Sequence, residues 1–435
     1  MSREGKRKFE VVVVGGGPAG MAAALYAAKN GAHVAIVDDN SALGGQIWRG
    51  ETAHSASEAA SWLHRLLALG VDLISGARVV DFAASNVLVA ETARGCCEIE
   101  YRNLVLATGA RERFLPFPGW TLPNVFGAGA LQALVKSGVP VGGKRVVVAG
   151  SGPLLLAVAS YLRKHGAKIE ILCEQASAAS LAKFAVRLAA HPGKAAEALS
   201  LRKALKGIRL AWRSWPVMAE GEGVLQSVVI SRRGKHVRVP CDYLACGFHL
   251  VPNTELAALL GCRVENGRVE VDEFQRTSVA NTFAAGETTG IGGAELALVE
   301  GQIAGLAAAG AEQDANSLAR VRRKLRTFQD ALERAFRLRP ELKAIASPGT
   351  IVCRCEDVTY EQLKPHGSAR AAKLETRCGM GPCQARVCGA ATEFLFGWKP
   401  DSVRPPIFPT ILENLAAFEE EKGDAEPSAV MRGPS

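Results

Sequence analysis

One turn constrains this chain more than any other feature. Val11 to Val14 runs into Gly15-Gly16-Gly17-Pro18-Ala19-Gly20, and the small-residue stretch Met21 to Lys29 follows. A second apolar run, His33 to Val37, ends at Asp38, with Asp39 beside it. Strand, glycine turn, helix, strand and acid in this order make the full context of a dinucleotide-binding fingerprint. Gly15 makes the tight turn, Gly17 lets a pyrophosphate reach the backbone, and Gly20 lets the helix pack on the strand. Pro18 and Ala19 open the helix, whose N-terminal N–H groups and positive dipole end suit phosphates. Asp38 can accept from ribose hydroxyls.

Three later segments narrow the ligand. Gly44-Gly45-Gln46-Ile47 follows the acid closely, where a loop would run along a flavin. Leu104 to Ala107 reads as a strand ending at Thr108-Gly109, followed by Ala110-Arg111. Thr282-Phe283-Ala284-Ala285-Gly286-Glu287 reads as a strand entering a turn, before the link Gly290 to Gly293 and a long helix. Over residues 9 to about 310 the chain resembles the glutathione-reductase-type flavoproteins. That resemblance implies an α/β fold of two Rossmann-like dinucleotide-binding domains. It implies FAD held by the turn Gly15, Gly17, Pro18, Ala19 and Gly20, and by Asp38, Asp39, Gly45 and Gln46. Ala107, Thr108, Gly109, Gly286 and Glu287 would close the site, with Glu287 a longer substitute for the usual Asp.

A second unit of the same kind begins with the strand Lys144 to Ala149 and continues as Gly150-Ser151-Gly152-Pro153-Leu154-Leu155. After a helix, the strand Ile169 to Cys173 ends at Glu174. Leu155 replaces the third glycine, which pushes the helix away and loosens the phosphate pocket. The expectation is a retained nicotinamide-domain fold with an altered or empty pocket, so that NAD(P) binding is not counted on. The alanine-rich, basic stretch Ala176 to Leu205 reads as an inserted helical segment.

Five of the eleven cysteines lie between Cys353 and Cys388. Thiols gathered this tightly in a chain otherwise sparse in cysteine point to a metal centre rather than disulfides. A four-cysteine set suits zinc as well as iron–sulfur, although zinc modules usually put two residues between paired cysteines. Ile351 to Asp357, with its Cys-x-Cys-Glu, and Thr376 to Cys388, with Gly379-Met380-Gly381-Pro382-Cys383, resemble the bacterioferritin-associated-ferredoxin type of module. The resemblance implies a small helical unit with a [2Fe–2S] cluster on Cys353, Cys355, Cys383 and Cys388, since a small residue often stands at the place of Cys378. Gly379 and Gly381 would bring backbone N–H groups to the sulfurs. Zinc stays the alternative.

No closely spaced cysteine pair follows the first flavin motif, so a disulfide reductase is not expected. Cys96, Cys97, Cys173, Cys241, Cys246 and Cys262 read as buried or incidental thiols. The eight histidines lack metal spacing, and no residue stands out as a substrate acid or base. The run Ala107 to Arg113 with Pro116 to Trp120, and Ala149 to Leu156, carries a wider resemblance reaching to about residue 415. It is to the alpha subunits of opine oxidases, of D-hydroxyproline and proline dehydrogenases, and to the similar subunit of hydrogen cyanide synthase. What it implies is an electron-transfer subunit that serves an amino-acid-oxidase-like, FAD-dependent beta subunit, often with a small ferredoxin-like gamma subunit. A self-sufficient NAD(P)H-dependent oxidoreductase and a redox-sensing or assembly subunit with structural cofactors are the two other readings.

The net charge of +9 raises nucleic acid or a membrane surface as partners. Between Arg320 and Arg339, however, eight basic residues face only Asp330 and Glu333, while Leu318, Val321, Leu325, Phe328, Leu332 and Phe336 recur at helical spacing. A docked helix with a solvated basic face follows, and no nucleic acid. No window holds 18 apolar residues without charges, and the apolar run after the basic N-terminus breaks at Gly15. A cytoplasmic protein is expected, with peripheral membrane contact left open. The expected layout is an FAD domain at 1–142 and 266–310, a nicotinamide-like domain at 143–265 and a helical connector at 311–347. An iron–sulfur module at 348–400 and an extended, then disordered, tail at 401–435 complete it.

Overall fold

The computed structural model describes residues 6–53, 57–399 and 402–420. β1 (Arg7–Val14), α1 (Pro18–Lys29) and β2 (Val34–Asp38) follow in order. β1 pairs in parallel with β2 on one side, in the register Val11–Val34, and with the strand Gly95–Leu106 on the other. The valine runs are buried on both faces, as the inner strands of a parallel sheet require. The strands Asp72–Ser75, Val87–Thr92 and Arg78–Ala84 extend this sheet, and Thr282–Ala284 joins it in parallel beside Leu104–Leu106. The helix Gly293–Ala308 lies on α1; a Cβ at Gly301 would stand 2.1 Å from the Ala19 carbonyl oxygen, so only glycine permits that approach.

A second parallel sheet has the order Leu210–Trp212, Lys168–Glu174, Arg145–Ser151, Tyr243–Phe248, Val125–Gly127. The chain passes between the two domains along the antiparallel pair Ala110–Glu112 and Leu250–Pro252. The crossings therefore fall well before the boundaries 142 and 265 read from the sequence. Leu115, Phe117, Trp120 and Val125 already pack in the second core, while Leu256, Ala257 and Cys262 have returned to the first. The segment after Ala176 forms two helices, Ala178–Leu188 and Pro192–Ala204.

The connector helix Ala319–Ala335 buries Leu325, Phe328, Gln329, Ala331 and Ala335. Val321, counted with the apolar stripe above, is 45% exposed. Beyond it, the short strands Ile351–Cys353 and Val358–Thr359 and the helices Ala369–Thr376 and Cys388–Phe396 enclose a small core of Val352, Val358, Leu363, Ala372 and Trp398. The tail then runs back to the first domain, where the Ile407 N–H donates to the Val80 carbonyl (2.9 Å). The tail ends in the helix Leu412–Glu420, where the sequence reads as extended and then disordered. The disorder expected of the terminal stretch concerns residues beyond those described. No helix among the described residues is long and apolar enough to cross a membrane.

Candidate functional site

The glycine turn joins β1 to α1 at the carboxyl end of the first sheet, where ligands of such sheets bind. Gly15 has φ +106°, and a Cβ at Gly20 would stand 1.8 Å from the Gly15 carbonyl oxygen. The N–H groups at the start of α1 are thereby brought to the turn. The Asp38 carboxylate, 6% exposed at the end of β2, accepts from Gly16 N–H, from Asn40 N–H (2.7 Å) and from the Asn40 side chain (2.8 Å). Asp39 lies beside it with its side chain 49% exposed, and partial loss of water together with the neighbouring Asp38 raises its carboxyl. The loop at Gly45 and Gln46 lies against the turn through Gly44 N–H to Gly16 C=O (2.8 Å). Ala107 N–H donates to Val14 C=O (2.8 Å), which sets Thr108 and Gly109 at the same sheet end. Gly286 and Glu287 arrive there from Thr282–Ala284, and burial pushes the Glu287 carboxyl up to about 7. The structure thus brings all fourteen flavin-site candidates to the carboxyl end of one sheet.

Two residues outside the fourteen candidates, Asn253 and Arg111, tie this site to the rest of the molecule. Asn253 donates from its side chain to Thr108 C=O (2.9 Å) and accepts the Thr108 hydroxyl on its own carbonyl (2.7 Å). Arg111 donates to the Asn253 side chain (2.7 Å) and, through Nε, to the Arg386 carbonyl (3.1 Å). A continuous hydrogen-bonded path therefore leads from Thr108 to the loop between Cys383 and Cys388. Arg111 stands within a run noted in the sequence, but Asn253 is a lone asparagine after Pro252 and gives no signal.

In the module, the sulfurs of Cys353, Cys378 and Cys388 lie within 4.8 Å of one another. Cys383 contacts Cys388 and Cys355, so the five thiols form one connected group. Hydrogen bonds from Cys378 and Cys388 pull the Cys353 thiol down to about 2, and Gly379 N–H also points at its sulfur (3.5 Å). Cys388 is held far above the usual thiol range by the same contacts. Cys355 is exposed while Cys353 and Cys388 are buried, so the group has an inner and an outer edge. Among the other cysteines, Cys97, Cys173, Cys241, Cys246 and Cys262 are buried and Cys96 half-buried.

The second sheet's glycine turn has a different fate. Leu155 is 1% exposed and packs in the domain core with Val146, Val148 and Leu172. The connector lies in the crevice where a dinucleotide would run. Ser151 Oγ donates to Phe336 C=O (3.0 Å), and the fully buried Gln175 donates to Phe336 and Arg337 carbonyls and accepts from Arg339 N–H (3.2 Å). Glu174 spends both oxygens on backbone, accepting from Gly152 and Ala176 N–H groups (both 2.8 Å).

Residues 9–312 match the family described as pyridine nucleotide-disulphide oxidoreductase. The chain belongs to that family. Hydrogen cyanide synthase subunit HcnB of Pseudomonas aeruginosa is 34% identical over 423 residues, which cover 87% of this chain and 90% of that protein. An opine oxidase subunit of Rhizobium meliloti is 31% identical over 459 residues, 95% of this chain and 99% of that one. Among solved structures, L-proline dehydrogenase from P. horikoshii superposes with a TM-score of 0.66 at 18% identity, covering 95% of this chain and 81% of that chain, a likeness of fold.

The chain is a FAD-dependent oxidoreductase, and the residues of this pyridine nucleotide-disulphide oxidoreductase fit the cofactor. The close-packed turn presents the first N–H groups of α1, which have no acceptor within the helix, where a pyrophosphate would lie, with Asp38 at the end of β2 and the strand ends at Thr108 and Gly286 around them. The groove of its second domain supplies a pH test. Burial pushes the Glu174 carboxyl up to about 7 from an ordinary value of 4.5, against the two backbone N–H groups that favour its charge. Between those values the folded chain keeps a proton that the unfolded chain has released. The carboxyl's contribution to stability therefore falls as pH rises through that window and is constant above it. Glu174→Gln should flatten the decline of the thermal midpoint between the ordinary value of 4.5 and about pH 7. An unchanged slope would place the titrating group elsewhere.

Proposed function

We propose that this chain is the FAD- and [2Fe–2S]-containing electron-transfer subunit of a heteromeric amino-acid or opine dehydrogenase, of imino-acid or hydroxyproline type. Its electrons come from the flavin of an amino-acid-oxidase-like beta subunit, and a small ferredoxin-like gamma subunit completes the assembly. The observation that carries this reading is the path Thr108–Asn253–Arg111–Arg386, which links the flavin turn to the thiol loop. When bound, FAD exchanges electrons in pairs and an iron–sulfur cluster exchanges them singly. Gly15, Gly17 and Gly20 hold the dinucleotide; Asp38 orients its ribose; Thr108 and Glu287 bound the site from the neighbouring strands. Cys353, Cys355, Cys383 and Cys388 hold the cluster, and the exposed Cys355 gives it an edge toward a partner.

The self-sufficient NAD(P)H enzyme is the weaker reading, because Phe336 to Arg339 lie over the second glycine turn. The native complex, purified under argon, should carry flavin and iron rather than zinc, together with an oxidase-like chain. Its flavin should bleach with an amino acid or opine, while the isolated chain should stay oxidised in anaerobic NADH. Rapid bleaching by NADH without a partner, or a zinc-only module, would reject the proposal.

A further inference from the structure

A cavity of about 740 Å3 opens between the start of the connector helix and the segment 263–278. Its size falls in the range of small-molecule sites. On one wall the arginines are matched: Arg263 pairs with Glu270 at 3.4 Å and Arg276 with Asp272 at 3.5 Å. The other wall carries Arg268, Arg322, Arg323 and Arg326. Arg326 meets Glu300 at 2.6 Å, Arg322 stands 4.0 Å from the same carboxylate, and Arg268 is 4.0 Å from Glu333. Arg323 forms no ion pair among the described residues. Four guanidinium groups thus share Glu300 and Glu333, with Asp272 and Glu273 also facing Arg322 from the segment 263–278, and Arg268 and Arg323 are left the least matched.

Their placement is electrostatically inverted. Arg322, Arg323 and Arg326 occupy the first two turns of the helix Ala319–Ala335, whose first turn contains no acid. The positive end of a helix dipole acts mainly within the first turn, which Arg322 closes; it disfavours a cation there and favours an anion. The Nε atoms of Arg322 and Arg326 are buried without a hydrogen-bond partner, an expensive state for a charged donor. Arg326 cannot turn outward freely, because it also donates to the Thr289 carbonyl (3.1 Å) and hydroxyl (3.0 Å).

We infer that this cavity is an anion site for a compact metabolite bearing two or more phosphate or carboxylate groups. Such a ligand would receive the guanidinium forks of Arg268 and Arg323 and face the positive end of the helix. The site is separate from the dinucleotide turn and independent of the partner reading above.

The test uses the FAD-loaded chain, so that a phosphate probe does not enter the flavin site. Titration with pyrophosphate and, separately, with citrate is followed by calorimetry and by thermal midpoint at fixed ionic strength. Saturable one-to-one binding of either probe is expected, and the tighter probe identifies the class as phosphate or polycarboxylate. The double variant Arg268→Gln, Arg323→Gln, which leaves the contacts of Arg326 to Thr289 and Glu300 intact, should bind about tenfold more weakly or worse. Arg238→Gln, remote on the strand Lys235–Pro240, should bind as the parent does. If sodium chloride at equal ionic strength reproduces the midpoint shift, or the double variant binds unchanged, the inference is overturned.

Discussion

Gly20→Val should give a folded chain that keeps almost no flavin. A Cβ there would stand 1.8 Å from the Gly15 carbonyl oxygen and 3.0 Å from its carbon, so the start of α1 has to retreat from the turn. The obstacle is backbone, which cannot swing aside as a side chain can. The retreat takes the N–H groups of the turn out of reach of a pyrophosphate. Hydrogen bonds to charged groups contribute about 1.5–3 kcal/mol each, so losing two weakens flavin binding by about a hundredfold or more. The flavin-to-protein ratio after gel filtration reads the loss directly, and circular dichroism checks that the fold survives. Gly142→Ala is the matched control, since a Cβ there meets nothing within 4 Å. Stoichiometric flavin in Gly20→Val would remove the turn from the cofactor site.

The second large effect concerns the thiols. Cys383→Ser and Cys388→Ser should each lose most of the iron, whereas Cys378→Ser should retain it. Cys388 touches Cys353, Cys378 and Cys383 and sits 2% exposed at the head of the helix Cys388–Phe396, so its replacement removes a central ligand. Cys383 is the link between that buried sulfur and the exposed Cys355. Cys378 has its sulfur within 4.8 Å of those of Cys353 and Cys388 as well, and is set apart only by the resemblance noted in the sequence, in which a small residue often takes its place. Iron content and the visible spectrum of anaerobically purified variants separate the outcomes. Iron lost from Cys378→Ser but kept in Cys383→Ser would make Cys378 the fourth ligand.

Local chemistry made the flavin turn legible. Gly15 to Asp38 carry strand, turn, helix and acid within one short stretch, and each residue's role follows from backbone sterics. The thiol group was legible for a similar reason, being confined to two segments of a few residues. The second glycine turn was not. Leu155 suggests a loosened helix, yet the structure takes that side chain into the core and covers the crevice by another route. The covering contact joins Ser151 to Phe336, 185 residues apart, and no periodicity reports such a pairing. The connector helix gives the same lesson at shorter range. Its basic residues read as one solvated face, but Arg322 and Arg326 turn toward Glu300, whose side chain is only 1% exposed. Spacing assigns a residue to a helical face; it does not reveal a buried carboxylate on the next helix.

The first sheet is finished by Thr282–Ala284 and bordered by Ile407 against Val80. During translation, a ribosome must therefore deliver the whole intervening domain before that sheet can close around its cofactor. Flavin loading becomes a late event in the life of the polypeptide, and nascent chains halted before residue 282 would expose an unfinished apolar edge to chaperones.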